Sequence, residues 1–302
     1  MHNDLLIISV VIPAYNESDN IQTCIDSLKA QTFPRKNYEI IVVDNNSTDN
    51  TLELIKKLGV IYTVEYKKGP AAAKNAGITL AKGNIIAFID GDCIATKDWL
   101  KNIVSGFEKS NVGCVAGGIT AMEDDNLSPL ERFLIKKGHL SQAQHIQNPF
   151  LPFAATANAA YRKEVFDKVG LFDEKLLIGE DADLSWRMQL STNYKLMYIP
   201  EAAVFHPYES RPKELFRQKR RHAYGSVMLY KKYRLCRRDE VKDLKQTYWE
   251  YMSIVRRWVK LFVYKLQKNP GDCPINEYQL ILETAQKVGL IHGSLRHRVW
   301  YV

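Results

Sequence analysis

The segment Ile85-Ile86-Ala87-Phe88-Ile89-Asp90-Gly91-Asp92 runs from uninterrupted apolar side chains into two carboxylates separated by one glycine. An apolar run without polar alternation reads as a strand buried on both faces, the pattern of a parallel sheet covered by helices. Its acids then sit where the strand leaves the sheet. Two carboxylates there can offer hard oxygen ligands to a divalent cation that holds a substrate's phosphates. A solvated Asp-Gly-Asp turn fits the same three residues.

The residues before this run have the rhythm of an α/β fold. Strands are expected at Leu6–Ile12, Glu39–Val43, Val60–Glu65 and Ile85–Ile89, and helices at Ser18–Gln31, Thr48–Leu58 and Pro70–Leu80. Capping residues near the helix starts and Gly59, Gly69 and Gly83 near the breaks separate them. Strand–helix alternation with buried strands implies a mostly parallel sheet with helices on both faces. Ligands bind such sheets at the carboxyl ends of the strands. Three of those ends carry polar clusters: Pro13-Ala14-Tyr15-Asn16-Glu17, Asp44-Asn45-Asn46-Ser47 and Asp90-Gly91-Asp92. A sequence that only builds a core has no need of that recurrence.

Beyond Ala116 the rhythm loosens. A polar helix is expected over Glu123–Gln147, a loop over Asn148–Phe153, a strand over Thr156–Tyr161 and a helix over Lys163–Val169. Gly179-Glu180-Asp181-Ala182-Asp183 precedes a further helix, Leu184–Leu190, whose N-terminus favours acids. From Gln246 to Lys268, Trp249, Met252, Val255, Trp258, Val259, Phe262 and Leu266 fill one side of an amphipathic helix whose other side is mostly basic. Such a helix suits a membrane surface, the catalytic core or a homodimer contact equally. Two domains are expected, residues 1–240 and a helical extension, 241–302.

The chain has 302 residues, 46% hydrophobic and 25% charged, enough for a sizeable core. Its five scattered cysteines form no CxxC pair and fit a reducing cytoplasm. Leu5–Ile12 lacks a basic lead and runs into Pro13, so no secretory leader is expected, and no apolar stretch reaches the ~20 residues of a membrane span. The net charge of +8 comes from one block, Arg211 to Arg238, with eleven Lys or Arg and a single acid, Glu214. That block suits phosphates, an anionic membrane or nucleic acid, or simply a solvated helix face.

Five motifs occur in order: VVIPAYNES, VVDNNSTDNT, GPAAAKNAGITLAKGNIIAFIDGDC, ATANAAYRKEVFDKVGLFDE and GEDADLSWRM. Together they resemble the family 2 inverting glycosyltransferases with the GT-A fold, over roughly residues 5–230. The resemblance implies that Pro13, Ala14, Tyr15, Glu17 and Asp44 hold the nucleotide. Lys74 stands where the family usually has Arg; it keeps the charge as a nucleotide or phosphate contact but loses the planar two-pronged geometry. A surface lysine on a helix is the plain alternative.

By the same resemblance Asp90 contacts the donor ribose, and Asp92, with His206, binds Mn²⁺ or Mg²⁺ bridging the diphosphate. Asp181 is the base that takes the acceptor hydroxyl's proton in a single in-line displacement. Glu180 and Asp183 stand beside it as alternative bases or as partners of the substrate. Thr156 and Asn158 line the sugar and acceptor side, and Arg217 and Arg221 in the basic block close over the diphosphate. The expected activity is metal-dependent transfer of one sugar from a UDP-sugar to a glycan or lipid-linked acceptor in cell-envelope or exopolysaccharide synthesis. The expected location is the cytoplasm, peripheral at the inner face of the membrane, with no nucleic-acid partner. The competing readings are a sugar-nucleotide nucleotidyltransferase, disfavoured because PAYNES is not its glycine-rich loop, and a non-catalytic nucleotide-sugar or membrane binding module, which needs no acid triad.

Overall fold

The computed structural model describes residues 7–122, 126–176, 178–236, 244–266 and 276–301. Backbone contacts divide the chain into two compact units, Met1–Asp124 with Gly138–Pro207, and Asp125–Lys137 with Tyr208–Val302. The boundary expected at residue 240 lies within 237–243, outside the described residues.

The first unit opens with β1 (Ile8–Ala14), α1 (Ile21–Lys29), β2 (Tyr38–Asp44), α2 (Thr51–Lys57), β3 (Ile61–Val64), α3 (Pro70–Leu80) and β4 (Ile85–Ile89). The last two coincide with the expected spans. Next come β5 (Ile94–Ala95), α4 (Trp99–Ser105) and β6 (Val112–Ala121). Among the described residues of Glu123–Gln147, the continuous helix expected there is absent. Instead, α5 (Pro129–Lys136) starts at a capping box of Ser128 and Glu131, and α6 (Gln142–Ile146) follows separately. Gly138 and Leu140, both at φ 63°, break the helix between them. The unit ends with β7 (Asn158–Arg162), α7 (Lys163–Val169), α8 (Glu180–Ser191) and β8 (Lys195–His206).

The described strands form one eight-stranded sheet in the order β3-β2-β1-β4-β7-β6-β8-β5. Pairing is parallel from β3 through β4 and between β6 and β8, and antiparallel where β7 enters and at β5. Both faces are covered, as the apolar runs require. Ile8, Val10, Ile12, Ile40 and Val42 face a core shared with α1, α2 and α4. Val11, Ile41, Val43, Ile86 and Phe88 face the opposite core, shared with α3, α7 and α8. Each such side chain contributes about 1.5–3 kcal/mol by leaving water. Because β2 lies on one side of β1 and β4 on the other, a crevice opens at the carboxyl ends of β1 and β4.

The second unit holds α5, α9 (Pro212–Tyr233), α10 (Leu244–Leu266) and α11 (Glu277–His297). Gly289 and Gly293 let α11 approach α9 closely; a Cβ at Gly289 would lie 2.3 Å from the Arg220 carbonyl oxygen. The expected amphipathic helix is α10, with residues 267 and 268 outside the described set. It packs on α11 through Ile254, Leu261 and Trp258 around Leu280. Of the apolar side chains expected on one side of it, Trp249, Val255, Val259, Phe262 and Leu266 are exposed. No described helix is long and apolar enough to cross a membrane.

At the amino-terminal edge of the sheet, Gly83 lies against β1: an added Cβ would sit 2.6 Å from the Ser9 nitrogen and 2.7 Å from the Ile8 carbonyl carbon. Backbone cannot yield as a side-chain tip can. Gly83→Ala is therefore expected to lower stability by about 1–3 kcal/mol, read as a lower urea midpoint with an unchanged slope.

Candidate active site

The loops after β1 and β2 are tied together by hydrogen bonds. The Asn16 amide donates to Ser47 Oγ (3.0 Å), the Thr48 amide to Asn16 Oδ1 (2.8 Å), the Glu17 amide to Thr51 Oγ1 (2.7 Å) and the Asn45 amide to the Ala14 carbonyl (2.7 Å). Asn45 extends the network, donating through Nδ2 to the Glu65 and Lys67 carbonyls and accepting the Gly69 amide on Oδ1. Asn45, Asp49 and Thr51 thus hold the site in shape, a role not anticipated from the sequence, where Asp49 and Thr51 fall within the helix expected from Thr48. Burial raises the Asp49 carboxyl, but hydrogen bonds from the Thr51 and Ser18 hydroxyl and amide groups together outweigh it and hold Asp49 down at about 2.

Within this frame Asp44 is buried, and its Oδ2 accepts the Ser47 amide at 3.1 Å. Its Oδ1 is buried without any partner. An orphaned carboxylate oxygen of this kind is costly unless a donor group meets it. Pro13 and Ala14 pair with Val43 and Asp44 inside the sheet and offer backbone, whereas the neighbouring Tyr15 ring is half-exposed.

At the end of β4, Gly91 brings the chain against Glu17: a Cβ there would stand 3.1 Å from Glu17 Cγ. Burial, opposed by a hydrogen bond from Asn20 and reinforced by the charges of Asp92, Asp90 and Asp49, raises Glu17 to about 7. Burial and the Asp92 charge likewise raise Asp90, to about 6, against the pull of His206 and Lys74. Asp92 meets His206 through tertiary pairing alone. The two residues of β5 run antiparallel to the end of β8, Ile94 opposite Phe205, which sets His206 Nε2 at 3.8 Å from Asp92 Oδ1. His206 Nδ1 donates to the Pro207 carbonyl at 2.5 Å, so in the neutral ring Nε2 presents a lone pair. Asp92 Oδ1 is buried and has no hydrogen-bond partner.

Asp92, Cys93 and His206 bring their ligand atoms within 4.8 Å of one another. Two of these are acceptors facing each other, a carboxylate oxygen and an imidazole nitrogen, and that donor set fits Mn²⁺ or Mg²⁺. Burial, with the Asp90 and Asp92 charges, pushes the Cys93 thiol well up, which disfavours its thiolate form.

The third cluster lies at the start of α8, which begins four residues before the expected Leu184. Gly179, at φ 90°, turns the chain into the helix in a conformation that favours glycine. The three acids then separate by partner. Glu180 accepts from Lys74 Nζ at 2.7 Å, and the same ammonium donates to Thr156 Oγ1 at 2.5 Å while lying 5.1 Å from the centre of the Phe172 ring. Lys74 is therefore not a surface lysine; it is 3% exposed. Burial works against its charge, but the carboxylates of Glu180, Asp181 and Asp90 more than offset that and raise its pKa.

Asp183 is wholly buried and paired with Arg187 Nε at 2.8 Å, and Arg187 in turn donates to the Leu171 carbonyl. The expectation that Asp183 meets substrate is corrected by that enclosure. Asp181, half-buried, accepts its neighbour's amide from Ala182 at 2.8 Å and alone of the three makes no ion pair among the described residues.

Asn158 also departs from expectation. It is fully buried, accepting from Trp99 Nε1 (2.8 Å) and donating to the Gly118 and Ala202 carbonyls (2.7 Å each). Its amide joins strands and has no group left for a sugar. Arg217 and Arg221 lie exposed on α9 in the second unit, Arg217 paired with Glu214.

Residues 9–170 match the family model described as glycosyl transferase family 2. The chain is 30% identical over 239 residues to the glycosyltransferase AglE of Haloferax volcanii, covering 76% of each protein. Over 128 residues it is 32% identical to the UDP-Glc:alpha-D-GlcNAc-diphosphoundecaprenol beta-1,3-glucosyltransferase WfgD of Escherichia coli. That match takes in 41% of this chain and 50% of the relative, so it spans about half of that protein. Among solved structures, the mannosyltransferase PcManGT of Pyrobaculum calidifontis, in complex with GDP-Man and Mn²⁺, shares the fold at a TM-score of 0.64. Identity there is 18%, over 95% of this chain and 86% of that one.

Asn158→Ala leaves an indole N–H and two carbonyls unpaired in the core. Stability should fall by about 3 kcal/mol or more, measured by urea unfolding, with the donor KM of the folded fraction unchanged. For Glu17 the sign follows from a folded pKa near 7 against an ordinary 4.5. The proton kept by the folded state contributes stability fully present below the unfolded value and lost as pH rises through about 7. The urea midpoint of the metal-free protein should fall between about pH 5 and pH 8, and Glu17→Gln should flatten that decline.

Proposed function

The chain belongs to glycosyl transferase family 2, and from that membership and the strand-end geometry we propose metal-dependent transfer of a single sugar from a UDP-sugar to an acceptor hydroxyl of a cell-envelope glycan. The observation that carries this reading is the pair of orphaned buried oxygens, Asp44 Oδ1 and Asp92 Oδ1, at two strand ends of one sheet edge. One lacks a donor and the other faces a second acceptor, as a nucleotide base and a cation bound to its diphosphate would require. A uracil N3–H supplies what Asp44 lacks, and the exposed Tyr15 ring adds apolar contact for the nucleoside. A relative named for UDP-Glc and a structural neighbour in complex with GDP-Man support a nucleotide-sugar donor.

In the reaction, Asp181 accepts the proton of the acceptor hydroxyl as its oxygen attacks the anomeric carbon. The new carbon–oxygen bond forms as the bond from that carbon to the diphosphate breaks, and the nucleoside diphosphate departs from the opposite face, inverting the centre. Asp181 suits the task because its two neighbours are committed, Glu180 to Lys74 and Asp183 to Arg187. The Lys74–Glu180–Thr156 link joins α3 to the first turn of α8 and so positions Asp181. Glu17 and Asp90 hold protons more readily than ordinary acids, which lowers the charge the donor diphosphate must approach. Asp92 and His206 would hold Mn²⁺ or Mg²⁺, whose Lewis acidity stabilises the leaving diphosphate.

The test is a panel of UDP- and GDP-sugars scored for donor hydrolysis and transfer, with Mn²⁺, Mg²⁺ or chelator. Asp181→Asn is expected to lower kcat about 10²–10⁴-fold with donor binding retained. Chelator or Asp92→Asn should abolish turnover, with Mn²⁺ restoring the chelated wild type. Full activity in chelator would overturn the metal assignment, and undiminished kcat in Asp181→Asn would overturn the base.

A further inference from the structure

The second unit holds a cavity of about 610 Å³ that the transfer chemistry does not use. That volume is typical of sites for small organic ligands. Its walls are nearly all apolar, built from Ile291 and Leu295 of α11 and from Val299 and Trp300 just beyond it. Polar side chains interrupt them: the Ser294 hydroxyl, which donates to the Tyr301 carbonyl, and two hydroxyls from α10. Thr247 and Tyr251 of α10 line the cavity, and both hydroxyls are buried without a hydrogen-bond partner. Thr247 is only 6% exposed. Hydroxyls left bare in this way favour a ligand that brings its own polar atoms. Arg298, exposed beside the cavity, adds a fixed positive charge.

The outer side of α10 begins at the same two turns. Tyr248, Val255, Val259, Phe262 and Leu266 recur at helical spacing and are each more than half exposed. A contiguous apolar stripe of this length marks an interaction surface. What borders it decides the partner. The one acid of α10, Glu250, is turned to Lys287, while Arg257 and Lys265 are bound to Glu283 and Glu277 of α11. Lys245, Arg256 and Lys260 are exposed on the helix. The outward face is thus apolar and cationic, the pattern of a helix lying in an anionic bilayer surface. Two copies pairing through this stripe would bring like basic rims together.

We propose that the second unit docks on an anionic bilayer through the α10 stripe, and that the adjoining cavity takes one chain of a phosphate-bearing lipid, its ester and hydroxyl oxygens meeting Thr247 and Tyr251 and its head group at Arg298. The site lies within that unit, so its test needs no sugar donor and stands or falls apart from the transferase reading.

The full chain is sedimented with vesicles of phosphatidylcholine, or of phosphatidylcholine mixed with phosphatidylglycerol, at low and high salt. Binding is expected to the anionic vesicles only, weakened by salt. It should drop by about tenfold or more when two charges enter the interface in Val259→Glu combined with Phe262→Glu. Both positions are exposed, so the fold should survive, checked by an unchanged urea midpoint. The cavity is probed with lysophosphatidic acid below its micelle concentration, followed by tryptophan fluorescence. One molecule should bind per chain, weakened by Leu295→Glu and not displaced by inorganic phosphate. Protein left in the supernatant with anionic vesicles, or a double variant that sediments as the wild type, overturns the docking surface. Loss of a dimer in that variant, with no vesicle binding by the wild type, assigns the stripe to a second copy and equally overturns it. Absence of lysophosphatidic acid binding, or its full competition by phosphate, overturns the cavity assignment.

Discussion

The ammonium of Lys74 lies in the interior with Glu180 and Thr156 as its hydrogen-bond partners, and the charges of Asp181 and Asp90 also bear on it. It is the buried cation around which the acids of this sheet edge are arranged. Glu17, Asp90 and Asp92 add to the same local negative field, and two of them respond by holding their protons to higher pH. An edge loaded in this way is tolerable because the strands beneath it are buried on both faces and supply stability independently of it. The loops are then free to carry groups that destabilise, provided their backbones are fixed. Asn16, Asn45, Ser47 and Thr51 provide that fixing.

The opposite edge of the same sheet makes the contrast. Glu39 is also a buried carboxylate, but it accepts from the Ser9 hydroxyl at 2.6 Å and the Lys82 amide at 2.7 Å. Its charge is answered within the protein, and its role is to join β1, β2 and the turn before β4. Asp44 and Asp92 each keep one buried oxygen unanswered. A fold usually satisfies such atoms, so oxygens unsatisfied at the carboxyl edge, and a carboxylate satisfied at the amino edge, mark where a ligand is expected. The glycosyltransferase family to which the chain belongs gives that edge its chemistry.

The α/β rhythm was legible because it rests on local patterns. Pro70–Leu80 and Ile85–Ile89 coincide with their expected bounds because Gly69 with Pro70 opens the helix and Asp90 closes an unbroken apolar run. Legibility failed where contacts are long-range. The expected helix through Glu123–Gln147 misjudged a stretch that Ser128, Gly138 and Leu140 interrupt. Asn158 read as a sugar contact because its motif accompanies the site, yet Trp99, Gly118 and Ala202 consume every group of its amide. On α10, periodicity identified an amphipathic helix, but its apolar side chains divide between Ile254 and Leu261, packed on α11, and a stripe left outside.

The sequence alone determined the class of fold, the edge of the sheet where chemistry is possible and the residue types gathered there. These follow from periodicity and from acids placed at strand ends, which are properties of neighbouring residues. Only the tertiary structure decided how those acids divide their work. Arg187 encloses Asp183, Lys74 holds Glu180, and Asp181 stays out of any ion pair among the described residues. His206 lies 114 positions beyond Asp92 in the chain and reaches it only because β5 pairs with the end of β8. A carboxylate's role depends on which partner and how much solvent it meets, and both are set by residues remote in sequence.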